Sequence, residues 1–346
     1  MRIASGLKPL AVFVALSVLC AQIQLPRIGT VDFYGIGKIS EVRLKKVLRV
    51  EEGDRLPASK GDIEELVEQV PGVVAARLEA ICCQDGMANL FVGIQEKGAA
   101  HVAFRSPPTG EATLPGEIVE LYRQRLEAVE RATRAGGAHE SLIEGHPLTA
   151  DRAARSVEVQ FPKIAAEHLE DLRKVLRESA DPEQRAVAAC VIGYHERKQD
   201  VVNDLQAALQ DPEPSVRSNA LHALNAIAVM ASSRPDLGIQ VSPTWIVELL
   251  NSLALSDRLR AVDALVTLTE NRPEGILGLL RERALPSVIE MARWNSLRHA
   301  LPPFLLAGRL AGLREAEIQD AWTKGEREAV IGKLRKTRGR VGPGSG

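Results

Sequence analysis

The second half of this chain repeats itself, and that constrains its fold more than any other feature. Ala180-Asp181-Pro182-Glu183-Gln184-Arg185 is followed by Ala188, Val191 and Ile192. Gln210-Asp211-Pro212-Glu213-Pro214-Ser215-Val216-Arg217 is followed by Ala220, Ala223 and Leu224, and Arg258 by Ala261, Ala264 and Leu265. The arginines stand 32 and 41 residues apart. Periods of that size belong to arrays of helix pairs, in which each unit buries its apolar face only against its neighbours. Each residue type has a task in such a unit. Aspartate caps the first turn, and proline suits a position with no N–H to satisfy. Alanine lets the next helix approach, and leucine or isoleucine fills the groove. The arginine is placed to bind the turn before its helix or the aspartate of a neighbouring unit. Segments 201–209, 245–255 and 276–283 supply partner helices, and 232–243 is an inserted loop. Helices over 286–298, 303–313 and 315–334 extend or cap the stack, and 336–346 is a disordered basic and glycine-rich tail.

Composition agrees with a helical array. The 346 residues are long for one core, so two or more units are expected. Aromatic residues make up 3 %, which suits helices packed through aliphatic side chains better than an aromatic-lined pocket. The formal net charge of −1 demands neither nucleic acid nor an anionic membrane as partner.

The chain opens differently. Arg2 and Lys8 precede an apolar run from Leu10 to Leu19, then Cys20-Ala21-Gln22. A basic segment, a run of about ten apolar residues and a small residue read as a secretory signal over 1–22, which places the protein in the periplasm or outside the cell. The alternatives are an uncleaved anchor and a lipoprotein attached through Cys20, although Leu19 stands where a lipobox has a small residue. Without Cys20, three cysteines remain, Cys82, Cys83 and Cys190, an odd number that implies no disulfide framework. Cys82 and Cys83 read as thiols on opposite faces of a strand, with a vicinal disulfide as the alternative.

Residues 27–97 form a small α+β unit. The alternation in Ile28-Gly29-Thr30-Val31-Asp32-Phe33 predicts a half-buried strand. Ser40 is a candidate N-cap, with Val42, Leu44, Val47 and Leu48 at helical spacing. A second helix over 62–70 ends at Pro71-Gly72, and 73–81 and 89–95 read as strands joined by a hairpin around Gln84-Asp85-Gly86. The strand–helix–helix–strand–strand order, Val50-Glu51-Glu52-Gly53-Asp54, Val70-Pro71-Gly72-Val73 and Val92-Gly93-Ile94-Gln95-Glu96 resemble a POTRA domain, a module of outer-membrane assembly and secretion proteins. The resemblance implies a cell-envelope module that binds partner chains, with the strand near Val74–Ile81 as an exposed edge for an added strand. POTRA modules precede a β-barrel or come in series, and this sequence shows one copy and no barrel-like run of strands.

Residues 98–178 read as a linker, marked by Ser106-Pro107-Pro108-Thr109-Gly110, and a helical connector with helices over 115–135 and 163–178. His139, Glu140 and His146 invite a metal reading. The histidines are seven apart, with Gly145 and Pro147 beside the second, whereas a zinc-protease helix needs them four apart. They are taken as loop residues.

From 179 to 335 the pattern Asp-Pro-x-x-x-Val-Arg-x-x-Ala-x-x-Ala-Leu, complete from Asp211 to Leu224, resembles HEAT repeats, clearest up to residue 285. The resemblance implies an α-solenoid that binds partners on its concave face. The expected fold is therefore mainly α, a HEAT-like solenoid behind a small β-α-α-β-β domain. The expected function is a non-enzymatic interaction scaffold of the cell envelope, with protein partners, no nucleic acid, and no catalytic, cofactor-binding or metal-binding residues. One alternative is an accessory factor in envelope or outer-membrane protein assembly or secretion, associated with membrane proteins. Another is a HEAT-fold lyase or DNA-base enzyme. That last reading needs a pocket with converging charges, and Trp294 with Arg293, Arg298 and His299 is the one local patch, since Trp245 and Trp322 lie apart.

Overall fold

A computed structural model describes residues 25–338 apart from 85 and 100. The signal-type segment 1–22 with Cys20, and tail residues 339–346, lie outside the described residues.

The N-terminal unit has the expected order: β1 (Arg27–Tyr34), α1 (Glu41–Leu48), α2 (Lys60–Glu68), β2 (Val73–Gln84) and β3 (Met87–Glu96). The sheet order is β1-β3-β2, with β1 parallel and β2 antiparallel to the central β3. Strand alternation sorts side chains between two cores, and a register irregularity between Ile28 and Thr30 brings Ile28 to the same face as Val31 and Phe33. Ile28, Val31, Phe33, Leu90, Val92 and Ile94 pack with Leu44, Leu48, Ile63 and Val67 of the two helices. Tyr34 and Phe91 point the other way and join the core of the helical array. The sheet is thus covered on both faces. Gly93 is required by this arrangement, because a Cβ there would stand 2.5 Å from the Tyr34 ring. Ser59 caps α2 by accepting the Asp62 amide, whereas Ser40 occupies the N-cap of α1 without a side-chain hydrogen bond. The hairpin strands run further than their apolar residues suggest, so Cys82 and Cys83 lie at the end of β2. They are joined as a vicinal disulfide, not held as thiols on opposite faces. Cys190 is free and buried.

The rest is helical: α3 (Gly116–Arg134), a short hairpin of β4 (Glu140–Ser141) and β5 (Leu148–Thr149), then α4 (Arg152–Glu158), α5 (Phe161–Glu167), α6 (Leu169–Glu178), α7 (Pro182–Ile192), α8 (Lys198–Ala208) and α9 (Pro214–Ser233). After a 3₁₀ turn at Pro235–Leu237 come α10 (Thr244–Leu249), α11 (Leu255–Leu268), α12 (Glu274–Arg283), α13 (Leu285–Ala292), α14 (Leu297–Leu310), α15 (Glu315–Thr323) and α16 (Arg327–Arg338). The motif helices α7, α9 and α11 pack side by side, and α14 continues the row. The chain is an α-solenoid with a small N-terminal α+β domain.

Several helix expectations change. The helix expected over 286–298 stops at Ala292, and the one expected over 315–334 is two, α15 and α16, parted by a turn around Gly325. The helix over 163–178 is two, α5 and α6, meeting at His168. Pro303 starts no helix. A turn at 293–296 sets the start of α14 with Ser296 at its N-cap, which leaves Pro302 and Pro303 inside the helix. The last helix passes Lys336 and ends at Arg338, so the stretch expected as tail begins as helix.

Candidate interaction surfaces

The repeat arginines hold the solenoid together along one edge. Arg185 Nη1 donates to the carbonyls of Ser179 and Ala180 in the turn before its own helix, at 2.9 and 3.2 Å. Its Nε and Nη2 fork onto Asp211 in the next unit, both at 2.9 Å. Arg217 repeats the arrangement. Nη1 donates to Asp211 O and Pro212 O, and Nε and Nη2 grip Asp257 at 2.7–3.0 Å. Arg258 donates to Ser252 O and pairs with Glu290. Arg185 and Arg217 therefore bind both the preceding turn and the neighbouring aspartate, whereas Arg258 binds its turn and meets a glutamate, Glu290, where an aspartate was expected. The carboxylate comes from a loop, a first helical turn and a helix interior in turn. Asp181 caps α7 as expected, accepting from Glu183 and Gln184. Asp211 does not cap α9. Its carboxylate is taken by Arg185 and Arg105, so Glu213 stands at the N-cap and Pro214, not Pro212, opens the helix. Burial raises the Asp211 carboxyl, but Arg185, Arg105 and the Glu213 amide outweigh it and hold it below the usual range.

The N-terminal residues lie along the same edge, in reverse order of the repeats. Before α14, the Asp32 carboxylate accepts the amides of Asn295 and Ser296, and Trp294 Nε1 donates to Phe33 O at 3.1 Å. On α13, Glu290 accepts the amides of Gly35 and Ile36. Before α11, Tyr34 donates to Leu253 O and Glu79 accepts from Leu255 N. Before α9, the Arg105 amide donates to Gln210 O, and the Arg217 guanidinium stacks on Phe104 at 3.8 Å. Before α7, Gly110 exchanges backbone hydrogen bonds with Glu178 and Ala180. A Cβ on Gly110 would meet Glu178 O at 2.6 Å, which explains the glycine. Segment 101–114 is therefore a clamped strap instead of a loose linker.

The Trp294 patch belongs to this junction. Trp294 is 2 % exposed and meets Phe91 edge-on at 5.0 Å. His299 contacts Phe91 and shares a 2.7 Å hydrogen bond with Ser296 Oγ, and Arg293 turns to Glu328. Trp322 packs on Phe304 instead.

His139, Glu140 and His146 separate. His139 is exposed, and its carbonyl accepts the Ala150 amide. Glu140 accepts from His222 Nε2 on α9 at 2.7 Å, with Arg125 at 3.8 Å. Burial raises the Glu140 carboxyl, but His222 and the positive charges of Arg260 and Arg125 bring it below its ordinary value. His222 is pushed down by burial and by Arg260. A neutral imidazole donating to a carboxylate is the state these directions describe. Beneath the hairpin, Glu158 accepts from Arg125, Thr149 N and Thr149 Oγ1, all buried. His146 reaches Lys198, whose buried Nζ lies 3.3 Å from Nδ1 and donates to Gly193 O at 2.8 Å. Burial lowers Lys198 to about 7 and, with the Lys198 charge, His146 to about 4. Sequence reading missed this polar zone. Its members come from α3, α4, α8, α9 and the β4–β5 hairpin, and no local spacing marks them.

The remaining surface is the free edge of β2. Val74 is 56 % exposed there. The Ala76 and Leu78 amides are bonded by Glu68 and Glu64 of α2, at 2.9 and 2.7 Å. The edge is therefore partly self-capped.

A comparison with known protein families matches residues 169–239 to HEAT repeats. The match spans α6 to α9, starting one helix before the repeat boundary expected at 179. No curated protein matches the chain. The helical array is thus HEAT-like, a class of module that mediates protein interactions. Among the described residues, no helix is long and apolar enough to cross a membrane.

Proposed function

We propose that the protein is a non-enzymatic scaffold of the cell envelope, exported by segment 1–22, that holds partner proteins on its HEAT-like repeats. One observation carries this reading. The motif's buried charges are used on one another, in the ladder Arg185–Asp211, Arg217–Asp257 and Arg258–Glu290, so they set the spacing of repeats. An array held at fixed spacing presents a long preorganised surface, which lowers the ordering cost of binding.

The accessory role in envelope protein assembly is the second reading. It is supported by the β1-β3-β2 sheet, in which β2 is an edge strand, as the POTRA resemblance implies for the strand near Val74–Ile81. An added strand has to displace Glu64 and Glu68 from the Ala76 and Leu78 amides.

Affinity capture from the envelope fraction tests both readings, using the full chain, a Val74→Lys edge variant and a variant altered on the repeat face. The scaffold reading expects a stoichiometric partner that is lost with the repeat-face variant. Loss with Val74→Lys favours the assembly role. Recovery of the chain in the cytoplasm with Met1 as its N-terminus sinks the envelope assignment.

A further inference from the structure

Between the sheet, the strap and the solenoid edge lies a cleft of about 780 Å³. That is the size of a ligand site, not of a packing defect. Its lining is uneven in charge. The two carboxylates at its walls are occupied from within. Glu79 accepts the Leu255 amide, and Glu96 accepts the amides of Gly37, Lys38 and Ile39. The buried cations Arg217 and Arg258 are held by Asp257 and Glu290.

Lys60 and Arg77 at the mouth are different. Both side chains are about half exposed, and their carboxylate contacts are long, 3.7 Å to Glu64 and 3.9 Å to Glu68, with Arg77 Nη1 also donating to a neutral carbonyl, Ala76 O, at 2.7 Å. Those glutamates are already engaged by the β2 amides. Val102, Phe104 and Leu253 add apolar lining. Two under-neutralised cations over apolar lining fit a chain that alternates carboxylates with apolar side chains.

We propose that this cleft docks a short acidic peptide segment of a partner protein, its carboxylates on Lys60 and Arg77 and its apolar side chains against Val102 and Phe104. The proposal rests on the interaction reading above and gives the partner a chemistry. Segments 1–24 and 335–346 of the sequence lack this chemistry. Segment 1–24 contains no aspartate or glutamate, and 335–346 carries Arg335, Lys336, Arg338 and Arg340.

Fluorescence anisotropy with the full chain tests it, using a labelled peptide of alternating leucine and glutamate and its lysine-for-glutamate and glutamine-for-glutamate counterparts. The glutamate peptide is expected to bind saturably and to weaken as salt rises. Lys60→Glu/Arg77→Glu is expected to weaken it roughly tenfold or more. Reversal of Arg43 and Lys46, exposed cations on α1, is expected to leave it unchanged, with circular dichroism confirming that each variant folds. No saturable binding, equal binding of the glutamine peptide or an equal loss on reversing Arg43 and Lys46 overturns the proposal. Cosedimentation with phosphatidylglycerol vesicles that disappears with Lys60→Glu/Arg77→Glu also overturns it, by assigning these cations to a lipid surface. The two readings fail separately. A captured envelope partner indifferent to Lys60→Glu/Arg77→Glu removes the cleft and leaves the scaffold, whereas peptide binding without any envelope partner does the reverse.

Discussion

The pair Arg217–Asp257 offers a sharp test of how the repeats are joined. Arg217 is 1 % exposed and Asp257 0 %. Three guanidinium contacts of 2.7–3.0 Å reach the carboxylate, and Nη1 caps the carbonyls of Asp211 and Pro212. Even so, burial pushes the Asp257 carboxyl above its usual range, with Arg217 and Ser252 recovering only part of the cost. Such a pair contributes little net stability, yet removing one member strands a buried charge. Arg217→Met and Asp257→Leu are each expected to cost about 3–5 kcal/mol. In the double variant neither member of the pair leaves the other's charge stranded, and what remains is the loss of the caps on Asp211 O and Pro212 O and of the acceptor for the buried Ser252 hydroxyl, each about 1–3 kcal/mol at most. The double variant is therefore expected to be more stable than either single one. Urea unfolding followed by circular dichroism measures this, provided the slopes agree among variants. A double variant as unstable as the two single losses added together refutes the reasoning, because the arginine would then stabilise through contacts independent of Asp257.

Other outcomes follow from particular contacts. Gly93→Ala is expected to cost about 1–3 kcal/mol through overpacking, since its Cβ would lie 2.5 Å from the Tyr34 ring, and thermal unfolding reads the loss. Trp294→Ala is expected to cost about 3–5 kcal/mol and to speed proteolytic cleavage of the strap at 101–114, because the indole fixes the sheet to the turn before α14. Lys198→Met is expected to stabilise the protein below pH 7 and to lose that advantage toward pH 10. Lys198 is lowered to about 7 by burial, so the unfolded chain binds the extra proton between about 7 and its ordinary value of 10.5, and wild-type stability climbs with pH by at most about 1.4 kcal/mol per unit there. Chemical unfolding of both proteins at pH 6, 8 and 10 checks the sign.

Local rules made much of this fold legible. The two-residue alternation of 28–33, the stop at Pro71-Gly72 and the alanine spacing after each repeat arginine each encode one element through neighbours in the chain. The arginine's double role was readable too, because the turn before the helix and the next repeat are both within its reach. What the sequence hides is any contact whose partners lie far apart in it. Asp32 reads as the polar half of a strand alternation, yet it holds a turn 263 residues away. Phe104 reads as part of a linker and carries the Arg217 guanidinium. Asp211 matches a capping aspartate by position and loses that task because two arginines outcompete the helix amides for its oxygens. The polar zone around Glu140, His222 and Lys198 is illegible for the same reason, being assembled from five elements.

These long-range contacts change how the molecule can be dissected. Removing residues 27–97 looks like removal of a separate domain. In the folded chain it would uncover Trp294, leave the Ser296 and Asn295 amides without Asp32, and strip from Glu290 the amides of Gly35 and Ile36. It would also erase both walls that the sheet gives to the cleft. A truncated protein that fails to bind a partner would then report damage to α13 and α14 as readily as loss of a recognition surface. Exposed single residues avoid this confusion. Val74, Lys60 and Arg77 lie outside the hydrogen-bonded junction, so changes there alter what a partner meets while the edge of the solenoid stays as it is.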